Sequence, residues 1–142
     1  MKVALDTSVL VQLLSAGAEF HVPTQSRYQQ HRNAQAEFVL PEQAILETFA
    51  VLSRSPKPLG IPPLQCEQLL RAHFENAIVA PHRTGLSWEA IRHTLACNHR
   101  GGRVYDTVIA MSSHDAGARL LLTWNIRHFQ SIAPPGLEIR SP

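Results

Sequence analysis

The sequence predicts an α/β layer fold around a mostly parallel central sheet. Short apolar runs alternate with helix-patterned segments along all 142 residues, and no repeat, low-complexity tract or long linker interrupts them. Parallel neighbours need crossover connections, which are usually helical, so alternation of this kind favours a parallel sheet. Polar residues also fall where two apolar runs end, Asp6 after the first and Asn125 just past the last strong one. In open parallel sheets, ligands bind outside the carboxyl ends of the strands.

The elements follow in order. Lys2 to Leu5 reads as a buried strand, and Ser8 as the N-cap of a helix from Val9 to Leu14. Thr24 to Ala36 is a polar, Gln-rich helical stretch, followed by a short strand at Phe38 to Leu40. Pro41 opens a helix running to about Arg54, in which Ile45, Phe49 and Leu52 form the apolar stripe. The run Ser55-Pro-Lys-Pro-Leu-Gly-Ile-Pro-Pro is a loop. A helix from Pro63 to Asn76, a strand from Ala77 to Ala80 and a helix from Ser87 to His99, capped by Ser87, come next. Gly101-Gly102 breaks the chain before a helix from Val104 to Ala116. Arg119 to Thr123 is a strongly apolar strand, and Leu137 to Arg140 an edge strand.

A chain of 15.8 kDa is the size of one domain, residues 1–142. Its 44% apolar and 17% charged content excludes both disorder and a membrane-embedded class. Asp6 interrupts the N-terminal apolar run, no cleavage site for a signal peptide follows, and no stretch reaches the ~20 apolar residues of a bilayer span. A cytoplasmic location is the expectation. Two cysteines, Cys66 and Cys97, are too few for a disulfide framework and read as buried, inert thiols. A net charge of +2 permits nucleic-acid binding without demanding it. Basic residues concentrate at Arg27, His31 and Arg32 and again at His99, Arg100 and Arg103.

Three carboxylates bear on chemistry. Asp6 either serves the turn and the positive end of the next helix or faces a site at the sheet edge. Asp106 either caps its helix or occupies its first turn, or joins that site. Glu47 projects ~160° from Ile45 in its helix and so lies off the apolar stripe. Asp115, nine residues beyond Asp106, faces away from it.

Four segments together resemble the PIN domains of VapC-type toxins: Val-Ala-Leu-Asp6-Thr-Ser, Ala44-Ile-Leu-Glu47-Thr-Phe-Ala-Val-Leu, Arg103-Val-Tyr-Asp106-Thr-Val-Ile-Ala and Leu122-Thr-Trp-Asn125-Ile-Arg-His-Phe129. Each is weak alone, and their order and spacing make the set specific. The resemblance implies a three-layer α/β/α fold with a central sheet of four to five strands. It also implies Asp6, Glu47 and Asp106 as ligands of Mg²⁺ or Mn²⁺, and cleavage of RNA inside the chain by metal-activated water. A homodimer and a cognate antitoxin are implied as well. Crowded carboxylates raise one another's pKa unless a cation is present, and an all-oxygen site suits Mg²⁺ or Mn²⁺ better than zinc.

This sequence departs from the fullest pattern near its C-terminal end, where Asn125 and His128 stand and a further acid is common. Asparagine offers a neutral oxygen, leaving three formal negative charges. Asn125 is retained with the catalytic set. Thr7 and Thr123 are placed to offer hydroxyls, and Arg27, Arg32, Arg100 and Arg103 to contact RNA phosphates. Cys97, His93 and His99 match no zinc spacing. A phosphohydrolase using Asp6 as nucleophile would want a second nearby acid and a lysine, where residue 8 is serine. The rival from outside enzymology is a PIN-like module that binds RNA or protein without cutting.

Overall fold

The computed structural model describes residues 1–142. In chain order the elements are β1 (Lys2–Leu5), α1 (Thr7–Leu14), α2 (His21–Asn33), β2 (Glu37–Pro41), α3 (Glu42–Arg54), α4 (Pro63–His73), β3 (Ile78–Ala80), α5 (Leu86–Ala96), α6 (Arg103–Asp115), β4 (Leu120–Leu122), α7 (Ile126–Gln130) and β5 (Glu138–Arg140). All five strands are parallel, in the order β3-β2-β1-β4-β5. The expected mostly parallel sheet is therefore wholly parallel.

The chain lays β1, β2 and β3 outward in one direction, then returns to add β4 and β5 on the other side of β1. The order thus reverses between β1 and β4, and the crevice outside their carboxyl ends is the place where such sheets bind ligands. Register fixes what stands there. Leu5 pairs with Leu122, so Asp6 and Thr123 are the next residues out of the sheet, side by side.

Successive strand residues point to opposite faces. Val3, Ala4 and Leu5 are fully buried, as are Leu120, Leu121 and Leu122 to within 2%. Both faces of the central strands are therefore covered. This explains why these strands read as unbroken apolar runs rather than alternating ones. They anchor a core that also takes Leu10 and Leu13 of α1, Tyr28 of α2, Ile109 of α6 and Phe129 of α7. Each large aliphatic or aromatic side chain so buried contributes about 1.5–3 kcal/mol. No helix is long and apolar enough to cross a membrane.

Several element ends differ from expectation. The cap of α1 is Asp6, not Ser8, because the carboxylate accepts the first free amides of the helix. Helix α2 starts three residues early, at His21. Helix α5 begins at Leu86 after Gly85, and Ser87 lies inside its first turn, bonded to His82 rather than capping. Helix α7, too short for a periodic signal, was not legible in the sequence. Cys66 is buried as expected, whereas Cys97 is only half-buried.

The Pro-rich loop 55–62 is not slack. Ser15 Oγ donates to Leu59 O at 2.7 Å, and Ile61 N to Leu52 O at 2.9 Å. At Gly60 a Cβ would stand 1.8 Å from the carbonyl oxygen of Ser55, a backbone atom that cannot swing aside. Gly60→Ala is expected to cost about 2–3 kcal/mol, as overpacking does. Calorimetry would show this as a lowered unfolding midpoint with metal affinity unchanged.

Candidate active site

The site starts where β1 stops. Asp6 N still donates to Leu122 O at 3.1 Å, and the chain then turns into α1. The Asp6 side chain is 2% exposed. Its Oδ1 accepts from Thr7 N at 2.6 Å, and its Oδ2 accepts from Ser8 N at 3.3 Å, Ser8 Oγ at 2.8 Å and Thr123 Oγ1 at 2.7 Å. Burial raises its pKa, and hydrogen bonds from Thr123, Ser8 and Thr7 act against that rise. The helix-capping reading of Asp6 is correct, but a cap needs no such burial. Here the carboxyl group is both the cap and an acid held out of water at the switch point.

Glu47 reaches the same place from α3. Thr7 Oγ1 donates to its Oε2 at 2.8 Å and Gln43 Nε2 to its Oε1 at 2.9 Å. Thr7 adjoins Asp6, so the Glu47 carboxylate is tied to the residue next to the first one. The apolar stripe expected for this helix is displaced. The buried positions are Ala44, Thr48 and Leu52, while Phe49 is 39% exposed and Ile45 only partly covered. Small Ala44 and Thr48 let α3 approach its neighbours closely, and Glu47 thereby flanks the buried stripe instead of opposing it.

Asp106 comes from the first turn of α6, not from its cap. Its Oδ2 lies 3.5 Å from His128 Nδ1 and 3.8 Å from Arg103 Nε. Burial pushes its pKa up to about 6; the charges of Asp6 and Glu47 push the same way, and His128 and Arg103 oppose them. Asp106 therefore senses the other two acids electrostatically. Arg103 is turned inward: its Nη2 donates to His128 O at 3.2 Å and Ser131 Oγ at 3.1 Å, while Nε is buried without a hydrogen-bond partner. An arginine so engaged braces α6 against α7.

The other expected residues divide. Asn125 caps α7 with its backbone, donates N–H to Thr123 Oγ1 at 2.9 Å and leaves its exposed amide without a bond. Arg27 and Arg100 are exposed. Arg32 lies with Glu37 and Asn76 around a hollow at the amino edge of the sheet, the end opposite the carboxylates. Asp115 is paired with Arg83 at 2.8 Å, facing away as expected. Ser8, Gln43 and His128 belong to the cluster and were not assigned to it from sequence. Only Gln43, four residues before Glu47, carried a helical signal that could have found it.

The donor set fits a hard divalent cation. Three carboxylates from three elements converge, all the donors are oxygen, and Asp106 has a raised pKa in a partly buried setting that a cation would relieve. The side chains do not form a closed cage: no three His, Cys, Asp or Glu groups stand close enough to enclose an ion as they are. The Arg103 guanidinium supplies part of the missing positive charge at Asp106.

The raised pKa has a stability consequence. Folding favours protonated Asp106, so its contribution is present at low pH and is lost as pH rises from the ordinary 3.8 through about 6. With chelator at pH 7.5, Asp106→Asn is expected to raise stability by about 1–2 kcal/mol, discounted for partial exposure. Near pH 4 the two proteins should melt alike.

No family model matches the chain. It is 31% identical over 118 residues to a ribonuclease of Mycobacterium tuberculosis, VapC27, covering 82% of this chain and 80% of that one. Its fold superimposes on VapBC2 of Rickettsia felis, solved bound to a DNA fragment from its promoter, with a TM-score of 0.72, 16% identity and coverage of 100% and 99%. It also matches Mycobacterium tuberculosis VapC20, a toxin that cleaves the sarcin-ricin loop, with a TM-score of 0.66, 13% identity and coverage of 84% and 86%.

Proposed function

The chain belongs to the VapC family of ribonucleases, and from that premise we propose that it is an endoribonuclease cutting RNA at Asp6, Glu47 and Asp106, the toxin half of a toxin–antitoxin pair. The observation that carries the reading is the convergence of those acids at the β1/β4 switch point, where burial and the other two carboxylates push Asp106 up to about 6. Asp6 and Asp106 would hold Mg²⁺ or Mn²⁺, with Glu47 completing the set. Such a cation, when bound, supplies charge neutralisation at the scissile phosphate and makes the attacking water more acidic.

The chain's own groups do the positioning. Ser8 and Thr123 fix the Asp6 carboxylate. Thr7 and Gln43 each occupy one oxygen of Glu47, leaving a lone pair on each with which to orient the water and take its proton. Asn125 contributes a neutral amide at the rim. A cytoplasmic setting, a homodimer and a small antitoxin partner belong to the same proposal. Exposed Trp88, Ile91 and Leu95 on α5 and Leu46 and Phe49 on α3 support a chain that docks against others.

Arg27 and Arg100 remain as phosphate contacts. Replacing either with glutamine is expected to weaken RNA binding and flatten its salt dependence by somewhat less than one unit of log–log slope each. Arg32→Gln should change neither. Filter binding across a salt series reads this directly.

The deciding experiment is incubation of a mixed RNA pool with purified protein and Mg²⁺ or Mn²⁺, against EDTA and against Asp6→Asn and Asp106→Asn proteins of wild-type circular dichroism. Metal-dependent cutting lost in both variants supports the reading. A folded protein that neither binds metal nor cuts any RNA would return the non-catalytic module.

A further inference from the structure

Phe20 and Trp124 have no place in the chemistry above, yet they stand ring on ring at the rim of the site. Their centroids are 4.6 Å apart and their planes 23° from parallel. Trp124 is fixed from two sides: its indole Nε1 donates to Thr24 Oγ1 at 3.0 Å, and its backbone N–H donates to Ser8 Oγ at 2.9 Å. Ser8 Oγ in turn donates to Asp6 Oδ2 at 2.8 Å, so two hydrogen bonds separate the tryptophan backbone from the central carboxylate. Phe20 is also held, its N–H donating to Gln12 Oε1 at 2.6 Å, and the residue remains 39% exposed.

We propose that the Phe20–Trp124 pair is a stacking platform for one unpaired base of the RNA, placed beside the phosphate that meets the carboxylates. This rests on the RNA-cutting reading and adds to it a determinant of which nucleotides are accepted. A braced aromatic ring with an open side offers a flat apolar surface at little further entropic cost, and unstacked bases are bound on such rings. The exposed Asn125 amide, next in sequence to Trp124, has a donor and an acceptor with which to read the edge of the same base. Arg27 is exposed on α2, about two turns in from its N-cap Phe20, and continues the track for the backbone. The apolar residues of α5 form a separate patch without this continuity to Asp6, which is why the platform is assigned to RNA and not to a protein partner.

The chain holds two tryptophans, so in a Trp88→Phe protein the emission reports Trp124 alone. With EDTA present to prevent cutting, unstructured RNA decamers of adenosine or uridine should quench that emission, and a blunt RNA duplex of equal length should not. Phe20→Ala should weaken decamer binding about tenfold or more, and Phe20→Tyr should restore it, while Mn²⁺ affinity stays unchanged in both. The proposal is overturned if Phe20→Ala binds the decamers as well as the parent does, or if decamers are bound without quenching. The pair would then be a clasp for α2 or a protein contact. If the parent protein neither binds nor cuts RNA, the RNA reading fails first and the platform with it.

Discussion

Asp6→Asn is expected to lower metal-dependent RNA cleavage by about 10³-fold or more while leaving the protein folded. Loss of one anionic ligand removes several kcal/mol of transition-state stabilisation, and each 1.36 kcal/mol is a factor of ten in rate. The substitution keeps the side-chain shape, and the hydroxyls of Ser8 and Thr123, which donate to Oδ2 in the native chain, can rotate to accept from an amide nitrogen, so that the loss is confined to the long 3.3 Å bond from Ser8 N. Thr7 N still finds an oxygen at the Oδ1 position. The amide also carries no ionised form for burial to penalise, which favours the folded state when no metal is present. Single-turnover cleavage together with Mn²⁺ binding would check this. Retention of more than a tenth of the parent rate would remove Asp6 from the metal-binding set.

Phe129→Ala should have the largest effect on stability, about 3–5 kcal/mol, by leaving a cavity in a closed core. Phe129 is fully buried, and it is the one buried residue of the five-residue helix α7. A helix this short has no stability of its own and exists because that ring is anchored. Without the anchor the β4–α7 corner loses its footing, and with it the Arg103 contacts to His128 O and Ser131 Oγ and the approach of His128 to Asp106. Cleavage is therefore expected to fall beyond what the folded fraction explains, whereas Phe129→Leu should cost about 1 kcal/mol and keep most activity. Thermal unfolding and rate measured on the same samples separate the two effects. If Phe129→Ala melted within a degree or two of the parent, α7 would be held by something other than this ring.

Arg103 changes the electrostatic picture obtained from charge counting. Counted as one of a basic run, it belonged with Arg100 on a phosphate-binding surface. Folded, it lies between α6 and α7 with Nε facing Asp106, so the basic run contributes one free cation and one structural brace. His128 likewise faces Asp106, its Nδ1 3.5 Å from Oδ2. The site is thus less negative than three carboxylates alone would make it.

The sequence by itself determined the parallel α/β architecture and the order of the elements, because unbroken apolar strands separated by helical periodicity admit few other layer packings. Motif order, rather than any single position, also singled out Asp6, Glu47 and Asp106 as candidates. Only the tertiary structure decided how they meet. The Leu5–Leu122 register sets Asp6 beside Thr123, a pairing between residues far apart in the chain that no local pattern encodes. Glu47 looked like a surface residue because a periodicity argument weights large apolar side chains, whereas close packing of α3 is achieved by small Ala44 and Thr48. Helix α7 and the inward turn of Arg103 escaped for the same reason: both are fixed by partners distant in sequence, and an isolated five-residue segment or a lone arginine carries no periodic signal. Propensity and pattern act over a few residues, while the positions of charged groups around a site are set by packing over the whole domain.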